Sequence, residues 1–141
     1  MLNSDFINSL GLVLNDKQVS LLETYSNLVL EKNKEFNLTA TKTFEEVWAR
    51  HICDGLKMAS VLEQEGFSNQ TGADFGTGAG FIGLTCAIVL ENTKIYLIDS
   101  LKKRTMFLQW VLYKLGLKNV EVLSLKLGQQ KLPKKFNFTM E

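Results

Sequence analysis

The sequence predicts an α/β fold, a parallel sheet with helices on both faces, preceded by a cap of helices. Two observations carry that prediction. From Thr71 onward short apolar runs alternate with longer segments of helical periodicity, the pattern that a parallel sheet with crossover helices produces. Within that region Ala73-Asp74-Phe75 runs into the glycine-rich turn Gly76-Thr77-Gly78-Ala79-Gly80, which opens an apolar segment ending at Leu90. The 141 residues read as one domain, with residues 1–66 as the helical cap and residues 67–141 as the first half of the sheet.

In chain order, Asn15-Asp16-Lys17-Gln18 loosely matches a capping pattern, and Leu21, Leu22, Tyr25, Leu28 and Val29 follow at helical spacing, predicting a helix to about Lys34. Glu35-Phe36-Asn37-Leu38-Thr39 breaks the pattern and reads as a tight polar connection. Thr43 with Glu46 forms a capping box for one helix that carries Val47, Trp48, His51, Ile52, Cys53, Leu56, Ala59 and Leu62 and stops at Gly66. Strands are predicted to Phe75, at Lys94–Ile98, at Val120–Ser124 and at Phe136–Met140, with helices from about Gly80 and from Ser100 to Gly116. The last helix is expected to bury Leu101, Leu108, Val111, Leu112 and Leu115 on one stripe.

Composition excludes several classes. The longest apolar run, Phe81 to Leu90, is too short to cross a membrane, and no basic stretch leads into an apolar segment at the N-terminus. Cys53 and Cys86 lie far apart in apolar helical patterns and, with the one histidine, make no metal-ligand set; they read as buried reduced thiols of a cytoplasmic protein. The net charge of +1 conceals an asymmetry: residues 1–71 carry six Lys/Arg against ten Asp/Glu, and residues 72–141 carry ten against five. Lys102, Lys103, Arg104, Lys114, Lys118, Lys126, Lys131, Lys134 and Lys135 fall in the basic half, either as a phosphate-binding face or as a solvated helix face plus a lysine-rich loop.

The glycine turn is the chemical signal. Gly76, Gly78 and Gly80 permit positive φ and let a ligand approach bare backbone, while the helix N-terminus behind them presents unpaired N–H groups suited to an anionic, nucleotide-like ligand. Asp99, about 20 residues past the glycines at the end of the second strand, is placed to accept both ribose hydroxyls of an adenosine. The alternative is a turn serving strand–helix packing, with Asp99 as a helix cap. Two cofactors fit: Gly78, Gly80 and Gly83 satisfy the dinucleotide spacing, whereas Asp74-x-Gly76-x-Gly78-x-Gly80 looks like the first motif of S-adenosylmethionine (SAM) methyltransferases. His51 and Asp54 share one helix face, close enough to interact or to tie the helix to a neighbouring loop.

Over nearly its whole length the chain resembles the RsmG (GidB) family of bacterial small-subunit (16S) rRNA guanine-N7 methyltransferases. The family's Asn-x-x-x-Asn-Leu-Thr stands at Asn33–Thr39, its His-x-x-Asp-Ser at His51–Gly55, its Asp-x-Gly-Thr-Gly-x-Gly at Asp74–Gly80, and its Asp-Ser-Leu-x-Lys-Arg-x-x-Phe-Leu at Asp99–Leu108. The resemblance implies a Rossmann-like class I SAM-methyltransferase fold with about four parallel strands present. It also implies SAM as cofactor, small-subunit rRNA as partner and a monomer. Asp74, Gly76, Thr77, Gly78, Gly80, Phe81 and Asp99, with the backbone of Leu127 and Gly128 beside the adenine, are the implied cofactor-binding residues. Departures from the family pattern are Ile82 for proline, Gly55 for serine, and Lys126-Leu127-Gly128-Gln129 for Arg-Val/Ala-Glu-Glu. Family members continue where this chain stops at Glu141, so a C-terminally truncated member is expected, with the fourth strand as an open edge able to self-associate. Methylation at N7 meets a free lone pair and needs no general base, so no catalytic residue and no metal is assigned. The alternatives are an inactive SAM- or RNA-binding remnant and, ranked last, an NAD-dependent oxidoreductase.

Overall fold

The helical cap is built from strongly signalled ends. In a computed structural model, which describes residues 4–67 and 69–126, α1 spans Ser4–Ser9 and α2 spans Asp16–Asn33. The capping box at the start of α2 is complete: Gln18 N–H donates to Asn15 Oδ1 and Asn15 N–H donates to Gln18 Oε1, each at 2.8 Å. Such a pair satisfies two of the donors a helix start otherwise leaves open. The box expected at Thr43 is half made. Thr43 Oγ1 accepts from Glu46 N–H at 3.2 Å, but the Glu46 carboxylate reaches Lys42 N–H instead of closing on Thr43.

The single helix expected after Thr43 is three segments: α3 (Phe44–Val47), a π turn (Trp48–Ile52) and α4 (Cys53–Gln64). Cys53 N–H bonds to Trp48 O, five residues back. A π turn inserts one residue into a helix and re-aims the side chains around it, and here it holds His51. Apolar spacing does not distinguish it from continuous α-helix, since Val47, Trp48 and Ile52 are buried on either count.

The sheet follows the alternation closely. Strands β1 (Thr71–Phe75), β2 (Lys94–Asp99) and β3 (Val120–Ser124) pair in parallel in the order β1-β2-β3, with Asp74 beside Leu97 and Asp99 beside Ser124. The crossovers are α5 (Phe81–Val89) and α6 (Lys102–Leu115). Two right-handed crossovers stepping in the same direction place both helices on one side of the sheet. Packing agrees: a Cβ on Gly83 of α5 would stand 2.3 Å from Leu97 of β2, and one on Gly80 would stand 2.7 Å from Leu108 of α6. Helices were expected on both faces; among the described residues, α5 and α6 cover one. The predicted fourth strand at residues 136–140 lies outside the described residues.

The core sits between that face and the cap. Leu22, Tyr25 and Val29 of α2, Ile52 and Leu56 around α4, Leu84 and Ile88 of α5, Leu97 of β2 and Leu108 and Val111 of α6 form one buried cluster. Leu101 is the exception to its predicted stripe. It precedes α6 as the residue flanking its N-terminus, in extended conformation, and is 51% exposed. Gly55 is required by packing: a Cβ there would meet Phe81 O and Thr85 Cβ at 2.6 Å, so α4 and α5 approach along a bare backbone. Of the two cysteines, Cys86 is buried, its thiol pushed up to about 12 by desolvation first and by Asp74 second, and Cys53 is only half-buried. Among the described residues, no helix is long and apolar enough to cross a membrane.

Candidate functional site

The site lies where β1 and β2 end side by side. Gly76, Gly78 and Gly80 all have positive φ, at 68°, 60° and 82°, a region open to glycine and strained for residues with a Cβ. The turn is fastened to the second strand at its start, where the N–H groups of Gly76 and Thr77 both donate to Ile98 O, at 2.8 and 3.2 Å. It closes on itself where Gly80 N–H donates to Thr77 O at 2.9 Å, and Gly80 then flanks the N-terminus of α5. The three glycines differ in what surrounds them. Nothing lies within 4 Å of a Cβ built on Gly76 or Gly78, whereas Gly80 is pressed against Leu108 and Leu84. The first two leave bare backbone facing open space, and the third is a packing residue.

Asp74 is turned into the fold. Its Oδ2 accepts from Thr77 Oγ1 at 2.8 Å and from Gly83 N–H at 3.1 Å, bridging the turn to the first turn of α5. Burial raises its carboxyl above the ordinary range; the bonds from Thr77 and Gly83 pull the other way, and the neighbouring Asp99 charge adds a smaller push upward. A carboxylate near a helix N-terminus is also favoured by the helix dipole.

Asp99 is 3% exposed and central. Its Oδ2 accepts from Gly78 N–H at 3.0 Å, its Oδ1 accepts from Leu101 N–H at 2.9 Å, and Arg104 Nη1 stands 3.6 Å from Oδ2. One side chain therefore ties the glycine turn to the start of α6. Asp99 is not the cap of α6, whose flanking residue is Leu101 and which has no side-chain cap bond; it holds the N–H of Leu101 just before the helix and also lines a cavity. A carboxylate has about four acceptor positions, two on each oxygen; Gly78 N–H and Arg104 both stand at Oδ2, so the capacity left by these contacts is on Oδ1. The cavity, about 230 Å3, is bounded by Gly76, Ile98, Asp99, Ser100, Arg104 and Leu125. The chain leaves it through Leu125, whose N–H bonds to Asp99 O at 3.0 Å. Leu127 and Gly128, expected beside the adenine, lie outside the described residues.

A second group supports the turn from the cap. The Tyr25 hydroxyl, wholly buried, donates to Ala79 O inside the glycine turn, and its ring tilts against Phe81 with centroids 6.0 Å apart. Phe81 stacks flat on His51, centroids 4.1 Å apart and planes within 5°. His51 Nε2 pairs with Thr39 Oγ1 at 3.1 Å, and burial lowers its pKa, partly offset by Asp54. Asn33 then orders the loop: its Oδ1 accepts from Leu38 and Thr39 N–H at 2.8 and 3.0 Å, and its Nδ2 donates to Thr41 O at 3.1 Å. Both roles expected of His51 are met, by the hydrogen bond to Thr39 in the loop and, more weakly, by the charge of Asp54, whose carboxylate also pairs with Lys57 at 3.8 Å on the surface.

Sequence reasoning passed over Tyr25, which looked like one more member of an apolar stripe. A phenol inside such a stripe signals a buried hydroxyl that needs an acceptor. Arg104 was grouped with surface cations although it stands beside Asp99.

The family model for GidB, rRNA small subunit methyltransferase G, matches residues 18–140. The chain belongs to this family. It is 38% identical over 116 residues to the ribosomal RNA small subunit methyltransferase G of Leuconostoc citreum, covering 82% of this chain and 48% of that protein. Relatives of the same name from Carboxydothermus hydrogenoformans and Clostridium botulinum (strain Eklund 17B) are 36% and 43% identical, over 89% and 78% of this chain and 54% and 45% of theirs. The chain thus spans about half the length of the curated relatives it matches. The GidB match takes in α2 through β3, so it covers Asp74, the glycine turn, Asp99 and most of the cap residues that brace them.

Proposed function

We propose that this chain carries the cofactor half of an rRNA methyltransferase, binding SAM in the cavity between the glycine turn and Asp99 and serving methylation of a guanine N7 in small-subunit rRNA in the cytoplasm. The observation that carries the reading is the pairing of the open backbone of Gly76 with the buried carboxylate of Asp99 on one cavity, the same carboxylate holding the N–H of Gly78. The residues present fit the cofactor. Bare backbone admits close approach, and Asp99 offers acceptors for vicinal hydroxyls at the C-terminal end of β2, where ligands of open parallel sheets bind.

When bound, SAM supplies a methyl group on a sulfonium sulfur, the electrophile of the reaction. The protein's own residues position and shield. Gly76 and Gly78 set the floor, Asp99 orients the ribose, and Arg104 keeps the Asp99 charge partnered. Tyr25, Phe81 and His51 fix the carbonyl of Ala79 and the entry to α5. Because guanine N7 carries a free lone pair, no residue here has to remove a proton. Alignment and exclusion of water then account for the rate, and alignment alone reaches about 7–11 kcal/mol in well-oriented systems. His51, with its pKa lowered and its Nε2 engaged by Thr39, is a brace and not a base.

The test is transfer of isotopically labelled methyl from SAM to small-subunit rRNA, followed by strand cleavage at N7-methylguanine. Label at one guanine supports the reading. Cofactor binding with no transfer would favour the alternative of a binding remnant, and binding of NAD in place of SAM would overturn it.

A further inference from the structure

We propose that the groove between α2 and α6 is a platform for single-stranded RNA, taking an unstacked base on Trp110 and phosphates on Lys102 and Lys103. This rests on the reading of the chain as an rRNA-binding protein. The groove is a cavity of about 500 Å3 lined by Lys32, Phe36, Lys102, Lys103, Met106 and Trp110 over the buried ring of Phe107. It is apolar inside and cationic at its rim. Lys32 Nζ lies 4.7 Å from the Trp110 ring centre, Lys103 Nζ 5.0 Å from that of Phe36, and Lys114 Nζ 5.8 Å from that of Trp110. Among the described residues no carboxylate lines it; Glu35 pairs with Lys32 at 3.4 Å from outside, so the unbalanced charge on its lining belongs to Lys102 and Lys103.

Flat aromatic faces beside ammonium groups match a ligand that is itself flat, aromatic and polyanionic. Bases stack on such rings without regard to sequence while lysines follow the backbone. A duplex keeps its bases stacked and offers none to Trp110. A partner helix would bring apolar anchors but finds the rim wholly cationic. Position supports the same occupant. Lys102 opens α6 three residues after Asp99, and Arg104 of the same turn lines the proposed cofactor cavity, so the basic end of the groove borders that cavity. Trp110 lies about 12 Å further along the helix at 1.5 Å per residue.

The experiment titrates the 141-residue chain with a single-stranded uridine 12-mer and with a duplex of equal length, following tryptophan emission and affinity at several salt concentrations. The single strand is expected to quench emission and to bind more tightly than the duplex. Trp110→Leu is expected to lose the quench and about 10-fold in affinity, in the range for one base–aromatic stack. Trp110→Tyr keeps a stacking face and should retain affinity, which separates stacking from any loss of fold. Lys102→Gln with Lys103→Gln should lower the salt slope by about 1.4, at roughly 0.7 per phosphate on single strands. SAM affinity should hold in every variant, and melting temperature in Trp110→Tyr and the lysine variants, while Trp110→Leu loses packing against the core and melts somewhat lower. The proposal is overturned by unchanged affinity in Trp110→Leu, by equal binding of duplex, by no RNA binding from a folded chain, or by Trp110-dependent self-association in sedimentation. A chain that binds RNA through Trp110 but never SAM would instead contradict the cofactor reading and leave the groove standing.

Discussion

Asp99 joins three parts of the site through one carboxylate, so its removal should be felt in binding before it is felt in folding. Asp99→Ala leaves the N–H groups of Gly78 and Leu101 without their acceptor and removes the proposed ribose partner. Hydrogen bonds to charged groups contribute about 1.5–3 kcal/mol each, so calorimetry should show SAM affinity falling by at least about 10-fold. The glycines separate by the same logic. Gly83→Ala would force a Cβ to 2.3 Å from Leu97 and is expected to lower stability by about 1–3 kcal/mol in denaturant titration. Gly78→Ala meets no neighbour but carries a φ of 60°, costing about 1–2 kcal/mol, and should weaken cofactor binding more than its stability loss explains. His51 supplies a pH test. Its pKa is lowered in the folded state, so the unfolded chain binds more protons just below pH 6.5, and stability present above that value is lost as pH falls. Melting temperature between pH 7.5 and 5.5 should drop more steeply in the native chain than in His51→Gln.

At the scale of elements, β1 and β3 and both ends of α5 were legible because each is bounded by an unambiguous punctuator. Leu101 misled because it fits the helical stripe of α6, yet the backbone enters the helix only at Lys102. The π turn is invisible for a different reason: Val47, Trp48 and Ile52 stand one and four residues apart, a spacing that shares a face with either helical repeat, so their burial does not distinguish the two. The loop after α2 reads as a tight polar connection, and Thr39 does bond within it, its Oγ1 accepting from Thr41 N–H at 3.3 Å; Asn33, in the last turn of α2, supplies three further bonds that the pattern does not mark. Tyr25 shows what periodicity cannot carry, since its hydroxyl reaches a turn 54 residues away. Tyr25→Phe would strip the buried Ala79 carbonyl of its donor and should cost about 1–3 kcal/mol in stability. The same variant should weaken SAM binding if the cap braces the glycine turn.

Across the whole molecule, the acidic half of the sequence builds the cap and the basic half builds the sheet and α6. The sheet carries its crossover helices on one side, and the cap packs onto those helices. The proposed cofactor cavity and the groove beside it are therefore both assembled around α6, the first by Arg104 and the second by Lys102, Lys103 and Trp110. Of the candidate residues, the glycines of the turn and Asp99 are marked by spacing that follows from strand, turn and helix geometry, whereas Thr77 and Phe81 are implied by the family resemblance alone. Arg104 is not marked, because only the fold brings the first turn of α6 back over the end of β2. The measurement closest to the central claim is calorimetric titration of the 141-residue chain with SAM and separately with NAD, each repeated on Asp99→Ala. One SAM bound per chain, lost in the variant, with no heat from NAD, is the result predicted. NAD binding, or SAM binding that survives Asp99→Ala unchanged, would contradict the assignment of the cavity.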